Sequence, residues 1–491
     1  MDTVCMSATE LVELLRKREI SAVEILDAII DRSEHVSSEF NPFAVKLYER
    51  AREAATMADA QLAQRRGGPL CGVPVTIKDS QWLASVPCAN GAFVLKDFVP
   101  DESSAAVARL EAAGAVIFAK TTCPEFSLVG ITDSDLYGRT SNPWNHSRTS
   151  GGSSGGGAVA VATGCGPLAL GGDGGGSIRI PAAFCGVVGF KPTFGLVPRD
   201  PCFPPWRTLV AYGPIARSVA DARLMLSTMV ASRGGLPAHR RAVDAGRMVD
   251  KLRGRKLVVS EDLGFAPLDD GVRSAFRRVT ALLESHGAVL IEDSPRLSSS
   301  IETWAITASY DSWRHGQEAD YSHDELGEVA RANMEFGAQF TESDFQSAQA
   351  NREVIRKAYE DMFERAGARA LLTPTVGCEA FPHGRIHPQS IGGTPIELPW
   401  LDWGGFLYDA NLTGMPACAL PIGVGDEGLP VSIQVVGPIG GDAEVLDIAE
   451  QIEALVDWQH ACLNGMASRN MTPVATSIAA TKQERTNVEE Q

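Results

Sequence analysis

No stretch of the 491-residue chain approaches the roughly 18 consecutive apolar residues that a membrane-crossing helix needs. The mean hydropathy is −0.04. A transmembrane protein is thereby excluded. An extended basic stripe is also missing. Lys and Arg number 44 against 61 Asp and Glu, a net charge of −17, which argues against holding nucleic acid through its phosphates. The opening residues Met1-Asp2-Thr3-Val4-Cys5-Met6-Ser7 have an acid, no basic cluster and no long apolar core, so they do not read as a secretory signal. Cysteine is sparse: ten residues, scattered, with no Cys-x-x-Cys pair. That pattern argues against a disulfide framework and a structural zinc site, and for free thiols in a reducing cytoplasm. Nine histidines form no cluster. His383 and His387 are four apart, but Gly384 and the nearby prolines oppose a helix that would align them, so no metal and no cofactor is expected. There is no Walker loop. None of the ten lysines has a serine three positions before it, which removes the β-lactamase arrangement.

What the chain does have is 44% hydrophobic residues, enough to rule out disorder over most of its length. Length alone would allow about three domains, although large α/β enzymes often reach this size as one unit. Ser7-Ala8-Thr9-Glu10 and Ser21-Ala22-Val23-Glu24 are capping boxes, each followed by apolar residues at helical spacing. A charged helical run over roughly 47–65 stops at Gly67-Gly68-Pro69. Val73-Pro74-Val75-Thr76-Ile77 then reads as a buried strand ended by Lys78-Asp79. An Ala-rich helix over 103–113, Gly114 and a strand over 116–119 continue the rhythm of an α/β architecture. Residues 299–367 read as peripheral helix, 381–409 as a long loop rich in Gly, Pro and Trp, 417–421 and 431–436 as late strands, and 443–455 as a last helix. The polar segment after Gly465 is expected to be a flexible tail.

Between 151 and 195 the chain places 15 of its 48 glycines. Interleaved apolar runs such as Ala158-Val159-Ala160-Val161-Ala162 exclude a linker, and the density of glycine points to backbone packed closely on backbone or ligand. Gly151-Gly152-Ser153-Ser154-Gly155 matches the nucleophile-elbow pattern, but the polar residues before it are not the strand an elbow requires. The second cluster, Gly171-Gly172-Asp173-Gly174-Gly175-Gly176-Ser177-Ile178-Arg179, can turn several N–H groups toward one point. A serine at the mouth of such a nest could attack a carbonyl while the nest holds the oxyanion. No histidine lies in either cluster, which leaves Lys78 as the candidate base, since burial favours its neutral form.

These residues resemble the amidase signature family of Ser–cisSer–Lys hydrolases. The resemblance runs from Gly151-Gly152-Ser153-Ser154-Gly155-Gly156 through Asp173 and Gly175-Gly176-Ser177-Ile178-Arg179-Ile180-Pro181 to Lys191-Pro192-Thr193. Gly72-Val73-Pro74-Val75-Thr76-Ile77-Lys78-Asp79 is similar to the family's lysine strand, and Pro124-Glu125-Phe126, Asn142-Pro143-Trp144 and Asn411-Leu412-Thr413-Gly414-Met415-Pro416-Ala417 also fit, over about residues 7–455. The resemblance implies Ser177 as nucleophile, Ser153 as a bridging serine in a cis peptide bond and Lys78 as base. It implies an oxyanion hole from the N–H groups of Gly174, Gly175, Gly176 and Ser177, support from Ser154, Asp173 and Arg179, and an acyl pocket near Leu128 and Val129. Trp82, Trp206, Trp400 and Trp403 are candidates for an apolar entrance, and Cys185 for packing. The chain has Gly172 and Gly174 where the family usually has threonine; the second change is expected to widen the pocket.

The implied architecture is α/β: one amidase-signature α/β/α domain over 1–465, with a large mixed twisted sheet wrapped by helices. Helices over 7–65, a core over 70–225 and a peripheral region over 299–410 precede the tail, 466–491. The expected activity is hydrolysis of a C–N acyl bond, in an amide or a carbamate (urethane), or of an ester, in small to medium, neutral substrates with an apolar or aromatic portion. The expected partner is that small molecule alone, with no nucleic acid, no membrane, and a monomer or homodimer. The alternative is the A subunit of a tRNA-dependent amidotransferase, which shares the triad but works in a complex; Pro201-Cys202-Phe203-Pro204-Pro205-Trp206 replaces the stretch expected there.

Overall fold

The computed structural model describes residues 3–230, 250–319, 321, 323–398, 402–456 and 458. The expected tail, Trp400 and Cys462 lie outside the described residues. One sheet of eleven strands organises the chain. In chain order they are β1 (Phe43–Lys46), β2 (Pro74–Lys78), β3 (Val116–Thr121), β4 (Leu168–Asp173), β5 (Val188–Lys191), β6 (Ala211–Ala216), β7 (Lys256–Val259), β8 (Val289–Glu292), β9 (Leu371–Pro374), β10 (Ala417–Val424) and β11 (Pro430–Val436). Their spatial order is β1-β3-β2-β4-β6-β5-β10-β11-β9-β7-β8. The sheet is mixed. β3, β2 and β4 run parallel, the centre from β4 to β9 alternates antiparallel, and β9, β7 and β8 are parallel again.

The central strands read as nearly continuous apolar runs because both faces are covered. Every residue of β2, β3, β4, β6 and β11 is buried. Both capping boxes form: Ser7 and Ser21 each accept from the N–H three residues on, and Glu10 and Glu24 reach back. They open helices α1 (Ala8–Lys17) and α2 (Ala22–Phe40), whose apolar faces pack into the core. Helix α3 (Tyr48–Ala63) covers β3. Between α2 and α3 the chain forms β1, a short edge strand that periodicity does not reveal.

Helix α4 (Ala105–Ala112) precedes β3, and α5 (Gly155–Ala162) is buried along its whole length. Helix α6 (Arg179–Cys185) follows β4, and α7 (Val219–Met229) follows β6. The stretch expected as one helical region over 299–367 is three helices: α9 (Ile301–Ala319), α10 (Glu328–Gly337) and α11 (Glu342–Ala366), after α8 (Asp270–Ser285). The Gly/Pro/Trp loop expected over 381–409 contains a two-stranded ribbon at Ser390–Ile391 and Thr394–Pro395 and runs into α12 (Tyr408–Leu412). The last helix among the described residues is α13 (Asp442–Val456). No helix of the described residues is long and apolar enough to cross a membrane.

The register of β2 on β4 positions the chemistry. Val75 pairs with Leu168, Thr76 with Ala169 and Ile77 with Leu170. Lys78 and Asp173 therefore end neighbouring parallel strands at their carboxyl edges, where α/β sheets place their ligand sites.

Eight of the described cysteines are free and buried, as the scattered pattern leads one to expect. Cys5 departs from that expectation, being disulfide-bonded.

Candidate active site

Lys78 ends β2 with its side chain enclosed, 2% exposed. Its Nζ donates to Ser153 Oγ at 2.6 Å. Burial pushes the ammonium down to about 8, against the opposing influence of Cys123, Asp173 and Asp79. Ser153 is itself fully buried, and the Gly152–Ser153 peptide bond is cis. The next residue leads into α5. Ser154 Oγ bonds both Gly172 N–H and Gly172 C=O at 3.3 Å, and Ser154 N–H donates to Ser177 C=O at 3.0 Å. Ser154 thus laces the two glycine clusters together and does not touch Lys78 Nζ in a hydrogen bond.

Ser177 follows β4 and lines an open cavity of about 130 Å³ together with Lys78 and Ser153. The Lys78–Ser153 half of the expected relay is hydrogen-bonded. Among the described residues, Ser177 Oγ takes part in no hydrogen bond, so the second half is present as shared cavity wall only.

Asp173 is fully buried and is the hub behind Ser177. Its carboxylate accepts from the N–H groups of Gly176 (2.8 Å) and Ile178 (3.1 Å), and from Arg179 Nε (3.0 Å) and Nη2 (2.9 Å). Burial by itself would raise this carboxyl. The Arg179 guanidinium, with Lys191 and Asn411, outweighs burial and holds it well below the usual carboxylate range. Arg179 is completed by Asn411 Oδ1 at 2.6 Å and Gln434 Oε1 at 2.7 Å. Asn411 Nδ2 returns to Asp173 C=O at 2.8 Å.

This hub reaches one donor of the expected oxyanion hole. The Gly176 N–H is engaged by Asp173, because a buried carboxylate draws in every donor within reach. The N–H groups of Gly174, Gly175 and Ser177 have no hydrogen-bond partner among the described residues.

The expected widening at Gly174 is corrected. A Cβ there would stand 2.7 Å from Trp206 Cε3, so the indole fills the space a larger residue would take. Trp206 is held by its own N–H to Asp311 (2.6 Å) and by its indole N–H to Ser312 Oγ (2.7 Å) and Ala308 C=O (2.9 Å). Trp304 stacks edge-on to it and donates to Gly174 C=O at 2.9 Å. Gly176 has φ of +114°, and a Cβ there would meet Leu407 at 2.6 Å, so two constraints require glycine.

Leu128 lines the large cavity, and both Leu128 and Val129 line a smaller adjoining one that also reaches Ser177. Trp206 borders both, and Trp403 borders the smaller. Trp82 lies behind the wall, packing on Phe98 and Phe203. Cys185 is buried and bonds Ser150 C=O. Among the described residues no cluster of His, Cys, Asp or Glu could hold a metal ion.

Asn411, Gln434, Trp304 and the buried Asp79–Lys120 ion pair (3.2 Å) beside Lys78 belong to the site's frame, yet sequence reasoning assigned them no role. A strongly polar residue in a mainly apolar strand, Gln434 in β11 and Lys120 in β3, was the available signal. Trp304 had none.

A large mixed sheet wrapped by helices is the architecture of the amidase signature enzymes. The chain belongs to the Amidase family, whose model matches residues 24–446. It is 33% identical over 487 residues to the A subunit of a glutamyl-tRNA(Gln) amidotransferase from Synechococcus sp. (strain CC9311), covering 92% of this chain and 97% of that one. It is equally 33% identical, over 472 residues, to an acylamidase from Rhodococcus erythropolis, covering 92% and 96%. Among solved structures, a bacterial aryl acylamidase of the amidase signature family superposes with a TM-score of 0.84 at 26% identity, covering 95% of this chain and 99% of that one. A 6-aminohexanoate cyclic dimer hydrolase gives 0.82 at 27%, covering 94% and 99%. The chain is accordingly an amidase-family enzyme of C–N bonds.

Proposed function

We propose that the chain is a free-standing amidohydrolase that cleaves a C–N acyl bond through an acyl-enzyme on Ser177. One observation carries the reading: Lys78 Nζ lies 2.6 Å from Ser153 Oγ in the wall of the cavity that Ser177 lines. Neutral Lys78 takes the proton of Ser153, which takes that of Ser177, as Ser177 Oγ bonds to the substrate carbonyl carbon. The N–H groups of Gly174, Gly175 and Ser177 receive the oxyanion. Collapse breaks the C–N bond, and the proton returns along the same path to the departing amine. Water then repeats the sequence on the acyl-enzyme. Carbamates and esters fall within the same proposal, because donors and relay act on the carbonyl and not on the group beyond it. The mainly apolar and aromatic wall, with Leu128, Phe126, Phe203 and Tyr321, supports substrates of small to medium size with an aromatic or aliphatic body.

Ser177→Ala is expected to abolish both turnover and covalent trapping by a phenylmethylsulfonyl fluoride. Mass spectrometry finding the adduct on another residue, with activity kept, would overturn the assignment. The second reading, the A subunit of an amidotransferase, is favoured by the 33% identity to such subunits. Release of aniline from a simple anilide by the isolated chain supports the first reading. Turnover that appears only with a co-purifying protein supports the second.

A further inference from the structure

Among the described residues, the cavity wall in front of Ser177 contains no aspartate or glutamate, although the chain as a whole has a net charge of −17. It does contain Arg199. This arginine lies two residues before Pro201-Cys202-Phe203-Pro204-Pro205-Trp206, the stretch that departs from the pattern expected of an amidotransferase and that contributes Phe203, Pro204, Pro205 and Trp206 to the same wall. Its guanidinium lies over the ring of Tyr212, 5.9 Å from the centroid. Tyr212 pairs across the sheet with Gly172, one strand position before Asp173, so the cation sits on the ring that borders the catalytic end of β4.

Among the described residues the charge of Arg199 is unpaired. Its one hydrogen bond is Nη2 to the Arg207 C=O at 2.7 Å. Among the described residues no carboxylate is within ion-pair reach, since the adjacent Asp200 turns instead to Arg207 at 3.4 Å. Of the other cationic candidates on the wall, Lys78 is engaged by Ser153 at 2.6 Å, and His315 faces Glu318 at 3.0 Å and Asp311 at 3.6 Å. An aromatic wall with a half-buried, unmatched guanidinium is a recognition surface for a planar anion, which the fork of N–H groups can take in two parallel hydrogen bonds.

We propose that Arg199 anchors a carboxylate on the substrate, remote from the bond that is cut, so that preferred substrates join an apolar or aromatic body to a carboxylate end. This rests on the hydrolase reading and replaces the expectation of a wholly neutral substrate. Arg199 acts on selection, not on bond cleavage.

The test uses two pairs of anilides. In one, the acyl chain of a 4-nitroanilide ends in a carboxylate or in its carboxamide isostere. In the other, acetanilide bears a carboxylate or a carboxamide on its ring. In at least one pair, kcat/KM is expected to favour the carboxylate by about tenfold or more, the scale of one charge-assisted interaction. Arg199→Gln is expected to bring that ratio near one, chiefly through KM, and Arg199→Lys to restore part of it. A ratio near one in both pairs, or one that Arg199→Gln leaves intact, overturns the proposal. Calorimetric affinities of the same pairs for the Ser177→Ala protein are read in parallel. Absence of turnover alone then counts against the hydrolase reading, while equal affinity for both members of each pair counts against the anchor.

Discussion

Two lysines near the glycine clusters lose basicity on burial, and geometry decides between them. Lys191 is pushed down to about 7 by burial and by the Arg179 guanidinium, but its Nζ donates to Pro192 C=O at 2.9 Å, away from both serines. Lys78, pushed down to about 8, is the one that meets Ser153. The sign of the pH dependence follows. A base must be neutral, so protonation below about 8 removes it, and kcat/KM is expected to fall by about tenfold per pH unit on the acid side of that value and to level off above it. A pH–rate profile with an acid optimum would contradict the role. Asp173→Asn leaves the Arg179 guanidinium fully buried without its ion pair, and is expected to destabilise the fold by about 3–5 kcal/mol in urea titration. Lys78 and Ser177 could be proposed from the sequence because each stands in a short run whose local composition implies its environment, whereas Ser153 entered only through the family resemblance. Asn411 and Gln434 were not given a role, because their partner Arg179 is 232 and 255 positions away and only the closed sheet brings them together.

Among elements, the loop between β5 and β6 does more than connect strands. It supplies the indole that packs on Gly174, and this separates two glycines that the sequence treats alike. A Cβ at Gly172 would stand at an ordinary 3.5 Å from Tyr212, whereas one at Gly174 would strike Trp206 at 2.7 Å. Gly172→Ala is therefore expected to change stability by less than about 1 kcal/mol, and Gly174→Ala to cost about 1–3 kcal/mol, read as shifts in the urea midpoint. Equal shifts would mean that Trp206 yields freely. Elements with strong local signals were legible, as the two capping boxes and the strand ending at Lys78 illustrate. β1 was missed because its four residues, Phe43–Lys46, offer too short a period between two long helices. The breaks among α9, α10 and α11 were missed because the helical composition continues through them. The N-terminal backbone of α10 is fixed from outside, by Glu125 accepting from Gly327 N–H at 3.0 and 3.1 Å, and no local pattern encodes such a contact.

At the scale of the whole molecule, the parts proposed for catalysis lie within residues 78–177, and one cavity contains Lys78, Ser153 and Ser177. The isolated protein is expected to release 4-nitroaniline from a suitable anilide without added partner proteins, and exhaustive chelation is expected to leave the rate unchanged. Loss of activity on chelation, restored by a single metal, would point to different chemistry.

The reach of Arg179 to Asn411 and Gln434 bears on how the enzyme comes into being. During synthesis the residues proposed to cut bonds leave the ribosome long before the side chains that brace the Asp173 hub. A growing chain that has exposed Ser177 still lacks that brace until the strands beyond residue 411 have emerged. The Asp173–Arg179 hub is therefore completed only in a chain whose C-terminal strands have been made.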